Sequence, residues 1–254
     1  MFRPRVIPVL LLKNLGLVKS IRFKDYRYIG DPINAVKLFN DLKADELAFL
    51  DIFASQEKRL ISLDFVKNVG DEANMPFAVG GGIRSIEDIR NILKAGAEKI
   101  IINSYAAENP EFIRNAAEDF GSSTIAVCID VRKKLFGKHM AYTYNGSKAI
   151  SYSPVDFARL MEEKGAGEII VNSIDQDGRM EGYDIEILRN ISENVTVPVI
   201  ALGGAGKLTD FKAVVKEGHV SAVAAGSMFV YHGPRKAVLV NYPQPDELNN
   251  IFKE

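Results

Sequence analysis

Four aspartates stand where short apolar runs give out. Asp51 follows Glu46–Leu50, Asp130 follows Thr124–Ile129, and Asp175 and Asp177 lie just beyond Glu168–Asn172. Carboxylates gathered in a partly desolvated pocket can divide into a proton donor and an acceptor, because burial and like charge push their pKa values apart. Two glycine phrases suggest a different chemistry. Residues 77–104, FAVGGGIRSIEDIRNILKAGAEKIIINS, run from an apolar stretch through Gly80, Gly81 and Gly82 to an amphipathic segment, then a second apolar run ending on Asn103-Ser104. Glycine where a strand gives way to a helix lets an anion approach the backbone N–H groups and the positive helix end. The phrase returns about 123 residues later, at 200–229, as IALGGAGKLTDFKAVVKEGHVSAVAAGSMF. Gly80-Gly81 answers to Gly203-Gly204, Arg84 to Lys207, Gly96 to Gly218, and Asn103-Ser104 to Gly226-Ser227. Two such cradles imply a ligand with two phosphates.

The elements that must position these residues alternate. Strands are expected at Arg5–Leu12, Glu46–Ile52, Pro76–Val79, Lys99–Ile102, Thr124–Asp130 and Glu168–Asn172, and within the second glycine phrase. Helices are expected between them: Asp31-Pro32 opens one that runs to about Lys43, and others cover Ser62–Val69, Pro110–Phe120, Pro154–Lys164 and Asp184–Ile191. Lys13–Tyr28 reads as a long polar loop, Val131–Tyr144 as a β-hairpin insertion around Gly137, and Asp246–Phe252 as a last short helix. Strand-then-helix units without a linker, repeated by half-chain, predict one α/β domain spanning 1–254. The expected fold is a (β/α)8 TIM barrel of two half-barrels, about 1–120 and 121–254. An open doubly wound sheet is the alternative.

In such a barrel the site lies at the C-terminal strand ends. That rule gathers Leu11, Asp51, Gly81, Gly82, Asn103, Ser104, Asp130, Asp175, Asp177, Gly178, Gly203, Gly204, Gly226 and Ser227 around one mouth. Asp51 could equally cap the next helix. Asp130 precedes Val131-Arg132-Lys133 rather than a helix, which favours a place in the site. Lys13 and Lys19 are either solvated charges or a basic loop over a bisphosphate. Arg5, Glu46, Lys99 and Glu168 begin strands and so form a charged ring at the opposite pole. The ring either ion-pairs the barrel floor or gates a small polar molecule moving along the axis.

Composition narrows the class. The chain has 254 residues, 47% hydrophobic and 26% charged, with net charge −1. That allows a large core and gives no footprint for nucleic acid or an anionic membrane. The longest apolar run, Val6–Leu12, is too short to span a bilayer. No signal peptide is expected, and Cys128 has no partner for an intramolecular disulfide, so a cytoplasmic protein is expected. His139, His219 and His232 have no metal-ligand spacing, and neither a metal nor a cofactor is expected.

Almost end to end, the chain resembles the cyclase subunit of imidazole glycerol phosphate synthase, the HisF family. The resemblance rests on GDP at 30–32, FLDI at 49–52, PFAVGGGI at 76–83, ENP at 108–110, AVCID at 126–130, GAGEI at 165–169, NSIDQDG at 172–178, GYD at 182–184 and GGAGK at 203–207. It implies a lyase that closes an imidazole ring on a bisphosphorylated ribulotide in histidine biosynthesis, releasing AICAR. The ammonia would come from a glutaminase partner docked on the N-terminal face and pass through the barrel axis. The resemblance makes Arg5, Glu46, Lys99 and Glu168 the ammonia gate, and Lys19 a substrate-binding residue. It also implies two catalytic aspartates, at the ends of strands one and five. Asp130 is the second. The first falls on Leu11, and the internal repeat equates the same two positions. Leucine neither gives nor takes a proton, and loss of such a group typically costs about two to four orders of magnitude in rate. Help from Asp51 or Asp177 would be needed for cyclase activity to survive.

RPRVIPVLLLKN at the start and FKDYRYIGDPINAVKLFND after it are similar to a paralogous branch of that family. The branch is associated with installing acetamidino groups on sugars of surface polysaccharides such as lipopolysaccharide. That similarity implies a barrel passing ammonia onward, with a glutaminase and a separate sugar amidotransferase as partners.

Overall fold

The computed structural model describes residues 3–134 and 137–253. The chain opens with β1 (Arg5–Lys13), β2 (Gly16–Ile21) and β3 (Lys24–Gly30), followed by α1 (Pro32–Asp41) and β4 (Leu47–Asp51). Next come α2 (Leu63–Glu72), β5 (Phe77–Gly80), α3 (Ile86–Lys94), β6 (Lys99–Ile102), α4 (Ser104–Glu108) and α5 (Pro110–Phe120). The second half repeats the order with β7 (Ile125–Lys133), β8 (His139–Thr143), β9 (Lys148–Ala149), α6 (Pro154–Glu163), β10 (Glu168–Ser173) and α7 (Ile185–Ser192). It ends with β11 (Val199–Leu202), α8 (Leu208–Gly218), β12 (Ala222–Ala225), β13 (Tyr231–His232), β14 (Ala237–Val238) and α9 (Pro245–Phe252).

Parallel pairing runs β1-β4-β5-β6-β7-β10-β11-β12 and returns to β1, closing an eight-stranded barrel with no free edge. This is the (β/α)8 architecture expected from the alternation of elements, and closure rules out the open sheet. Local chemistry sets the helix starts. Asp31 accepts from the Asn34 backbone N–H at 2.9 Å with Pro32 at the first turn, and the Ser62 and Ser153 hydroxyls accept likewise. Each helix then turns one apolar face to the barrel. Phe39, Phe49 and Phe211 are fully buried between strands and helices, each worth about 1.5–3 kcal/mol of transfer free energy.

The inner face is a separate cluster rich in small residues, including Ala48, Ala78, Ala126, Ala222 and Ala224 beside Ile7, Val9, Ile101 and Leu202. Alanines at the axis leave it incompletely filled. A small cavity remains there, lined by Ala48, Ala78, Ala126 and Ala224 and by Glu46, Lys99 and Glu168.

The segment 13–28 departs from the polar loop expected for it. β1 continues through Asn14 and Leu15, both with positive φ, into the antiparallel pair β2–β3, whose own turn is Arg22-Phe23, again with positive φ at both residues. Two-residue turns of this kind match strand twist but normally favour Asn-Gly, so Asn14-Leu15 and Arg22-Phe23 carry little turn signal. The hairpin β7–β8 does form as expected, with Asp130 opposite Tyr142; its residues 135 and 136 lie outside the described set. Thus β1 and β7, equivalent strands of the two halves, both run on past the barrel rim into hairpins. Among the described residues, no helix is long and apolar enough to cross a membrane.

Candidate functional site

An open cleft of about 1150 Å³ occupies the C-terminal mouth. Its floor is made by the last residues of the barrel strands, and the structure gathers most of the expected set there: Leu11, Lys19, Asp51, Gly81, Gly82, Asn103, Ser104, Asp130, Asp177, Gly178, Gly203, Gly204, Gly226 and Ser227. Val9, Leu50, Ile101 and Leu202 line both this cleft and the axial cavity, so the two spaces meet at one shared apolar ring.

Asp130 is the centre of the polar floor. It is 7% exposed and takes hydrogen bonds from Asn172 Nδ2 on one oxygen and Asn103 Nδ2 on the other, each at 3.0 Å. Burial pushes its carboxyl up to about 7, and the Asp177 charge adds to this while the two amides oppose it. Asn172 stands beside it because β7 and β10 pair in parallel with these two residues in register. The sequence reading passed over Asn172, although it occupies the same level of the next strand. Leu11 pairs with Leu50 across β1 and β4, and places an apolar side chain in the cleft lining.

Lys19 is 4% exposed, and its ammonium donates to the Val9 carbonyl at 2.6 Å. Burial lowers its pKa to about 8 against the pull of Asp177. Asp177 accepts from the Ser20 hydroxyl at 2.6 Å and the Phe23 backbone N–H at 3.3 Å, while its carbonyl accepts from Arg22 N–H at 3.0 Å. Burial raises the Asp177 carboxyl, opposed by these bonds and by Lys19. It therefore latches the β2–β3 hairpin over the mouth as well as lining the cleft. Across the mouth, Asn145 of the β8–β9 turn donates to the Tyr26 hydroxyl at 2.6 Å, so the strand extensions of the two halves meet.

The next helix, α2, takes Ser62 as its cap, while Asp51 lines the cleft and caps a local turn. One oxygen accepts from the Phe53 and Ala54 backbone N–H groups, and Arg59 forks onto the carboxylate at 2.5 and 3.1 Å. Arg59 sits in a charged link with no periodic pattern to flag it. Two expected residues lie elsewhere. Asp175 is absent from the cleft lining; it accepts from the Lys133 backbone N–H at 2.8 Å and faces Arg132, bracing the β7–β8 hairpin. Lys13 sits over the Tyr26 and Phe53 rings at 5.2 and 5.0 Å, a cation–π contact outside the cleft.

The glycine phrases have a structural cause of their own. A Cβ on Gly82 would lie 1.8 Å from the Arg59 carbonyl, and one on Gly204 would lie 2.1 Å from the Gly182 carbonyl, so close backbone packing already demands glycine at both. The helices that follow are also capped. Asp88 accepts from the Arg84 and Ser85 N–H groups, and Asp210 from those of Gly206 and Lys207. Each carboxylate thus satisfies two backbone N–H groups at the entrance to α3 or α8. The N-termini in the cleft without a side-chain cap belong to α4 and to the 3-10 turn Ser227–Phe229, opened by Asn103 and Gly226.

At the opposite pole Arg5 pairs with both Glu46 and Glu168, and Lys99 with Glu168 at 2.8 Å and Glu46 at 3.7 Å. Burial pushes the Glu46 carboxyl up, against the pull of Lys99 and Arg5. Two cations and two anions thus close a ring beneath the axial cavity. Elsewhere His139 lies 3.1 Å from Asp184, with Glu186 nearby, a cluster formed only by folding. Asp184 caps α7 and Glu186 pairs with Lys133 at 2.6 Å, so both carboxylates have structural work.

A family profile described as "Histidine biosynthesis protein" matches residues 5–234. A protein of Leptospira interrogans, provisionally named imidazole glycerol phosphate synthase subunit HisF, is 45% identical over 99% of this chain and 100% of its own. A Pseudomonas aeruginosa protein, provisionally named as the same subunit, hisF2, is 45% identical over 98% of this chain and 99% of its own. An Alkaliphilus metalliredigens protein named imidazole glycerol phosphate synthase subunit HisF is 43% identical over 91% of this chain and 92% of its own. A closed half-barrel repeat with this cleft, matched end to end at such identity, belongs to the HisF family of histidine biosynthesis proteins.

Proposed function

We propose that this chain is a HisF-type subunit that takes ammonia from a glutaminase docked on its N-terminal pole, carries it along the barrel axis and hands it onward in the cytoplasm. The observation that carries the proposal is the apolar Leu11 in the cleft, opposite a complete ion ring and an alanine-lined axial cavity. Conduction needs the ring and the cavity; ring closure needs a second proton carrier, which Leu11 cannot be. The final acceptor we propose is a surface-polysaccharide sugar that gains an acetamidino group through a separate amidotransferase, a reading supported by the N-terminal sequence similarity. The uncapped starts of α4 and of the Ser227 turn would hold a phosphorylated small molecule.

Ring-closing cyclase activity in histidine biosynthesis is the second reading. The relatives' names favour it, and so does Asp177, a buried carboxyl with a raised pKa in the same cleft as Asp130. Turnover of the bisphosphorylated formimino-ribulotide with excess ammonium at alkaline pH separates the two. We expect the Leu11→Asp variant to form imidazole glycerol phosphate about two to four orders of magnitude faster than the unmodified protein. Equal rates would favour the cyclase reading.

A further inference from the structure

Asn172 carries an unanswered hydrogen-bond acceptor at the floor of the cleft. Its side chain is 7% exposed, and Oδ1 has no partner. With Asp130 ionised the amide orientation follows from its neighbour: a carboxylate only accepts, so the Nδ2 end faces it, at 3.0 Å. That leaves Oδ1 turned toward Gly203, where a Cβ would come within 2.9 Å of it. Glycine leaves this spot without a side chain, and both Asn172 and Gly203 line the cleft. Leu202, the residue before Gly203, also lines the axial cavity. A buried amide oxygen without a donor is costly, so the position favours a small molecule bearing N–H or O–H.

We infer that Asn172 Oδ1 and the Asp130 carboxyl together form a docking position for ammonia where the axial cavity opens into the cleft. This deepens the delivery reading and rests on it for the identity of the guest. Ammonia has the complementary inventory: N–H groups to give to Asn172 Oδ1, and one lone pair. When Asp130 is protonated, its O–H proton passes to that lone pair, leaving carboxylate and ammonium, with no other reactant needed. When Asp130 is ionised, the carboxylate accepts an N–H directly. Asn103 and Asn172 hold the carboxylate in place on both oxygens, and Asp177 and Cys128 are the other titratable groups near it. The pair would hold the nitrogen beside the cleft ligand instead of losing it to solvent.

The test uses the whole, isolated protein labelled with carboxyl-13C aspartate, titrated by NMR in ammonium, potassium or tetramethylammonium chloride at equal ionic strength. Ammonium should lower the Asp130 titration midpoint by about one unit, as a neighbouring opposite charge does, and the effect should saturate. Tetramethylammonium has no N–H, and neither it nor potassium should reproduce the shift. Asn172→Ala should abolish the ammonium response while the other aspartates titrate as before. Equal responses to potassium and ammonium, or an undiminished response in Asn172→Ala, would overturn the inference and leave a water-sized gap. The comparison of salts on the unmodified protein stands even if the variant folds poorly. No partner or turnover is involved, so failure here leaves ammonia delivery intact, and failure of delivery leaves the binding result intact.

Discussion

Asp130 shows how far one residue's behaviour is set by its surroundings. Its folded value of about 7 lies above the roughly 3.9 of a free aspartate, so across that interval the folded protein holds a proton the unfolded chain has released. The group's contribution to stability therefore falls as pH rises from about 4 to about 7, and is level outside that window. A carboxyl resonance titrating near pH 7, with thermal stability declining through the same range, is the expected result. A midpoint below about 5 would mean that the two amide donors outweigh burial. The same logic separates Leu11 from Asp130: the halves supply equivalent positions, but a single one can exchange protons.

Hairpins are the elements that distinguish this rim. β1 and β7 both continue into antiparallel strands, and Asp177 ties the first hairpin down by hydrogen bonds from Ser20 and Phe23. Hydrogen bonds to a charged acceptor are worth about 1.5–3 kcal/mol each, far more than the exposed turn contributes by itself. Asp177→Ala should therefore raise backbone hydrogen exchange across residues 16–30 by about tenfold or more, with the barrel strands unchanged. Uniform protection in that variant would show that strand pairing with β1 holds the hairpin without the latch.

At the scale of the molecule, the barrel has two polar poles joined by an axis of small side chains. Ala78 faces that axis, within the cavity above the ion ring. Ala78→Leu should fill it at a cost of about 1–3 kcal/mol of stability. In a complex with its glutaminase, that variant should lose transfer of glutamine-derived nitrogen to the acceptor while responding normally to added ammonium. Unchanged transfer from glutamine would mean that nitrogen travels outside the barrel and that the subunit only activates its partner.

The type and order of the barrel strands and of the helices between them were determined by the sequence itself, because strand runs, helix faces and caps are local; the β2–β3 hairpin was not. Asp31-Pro32, Ser62 and Pro110 mark helix starts within a residue of where they form. The half-chain repeat placed Leu11 opposite Asp130, and the strand-end rule collected most of the cleft. Other features depended on residues far apart in the chain. Asn172 meets Asp130 only through the β7–β10 register, and Asp177 turns to the first hairpin rather than to solvent alone. Asp175, one turn away, braces the other hairpin instead. The glycines read as open cradles are needed for backbone contacts with Arg59 and Gly182, and Asp88 and Asp210 cap the helices behind them. A hydrogen-bonding group in sequence declares what it can donate or accept; which partner it finds is settled by packing, where distance and burial decide among many candidates.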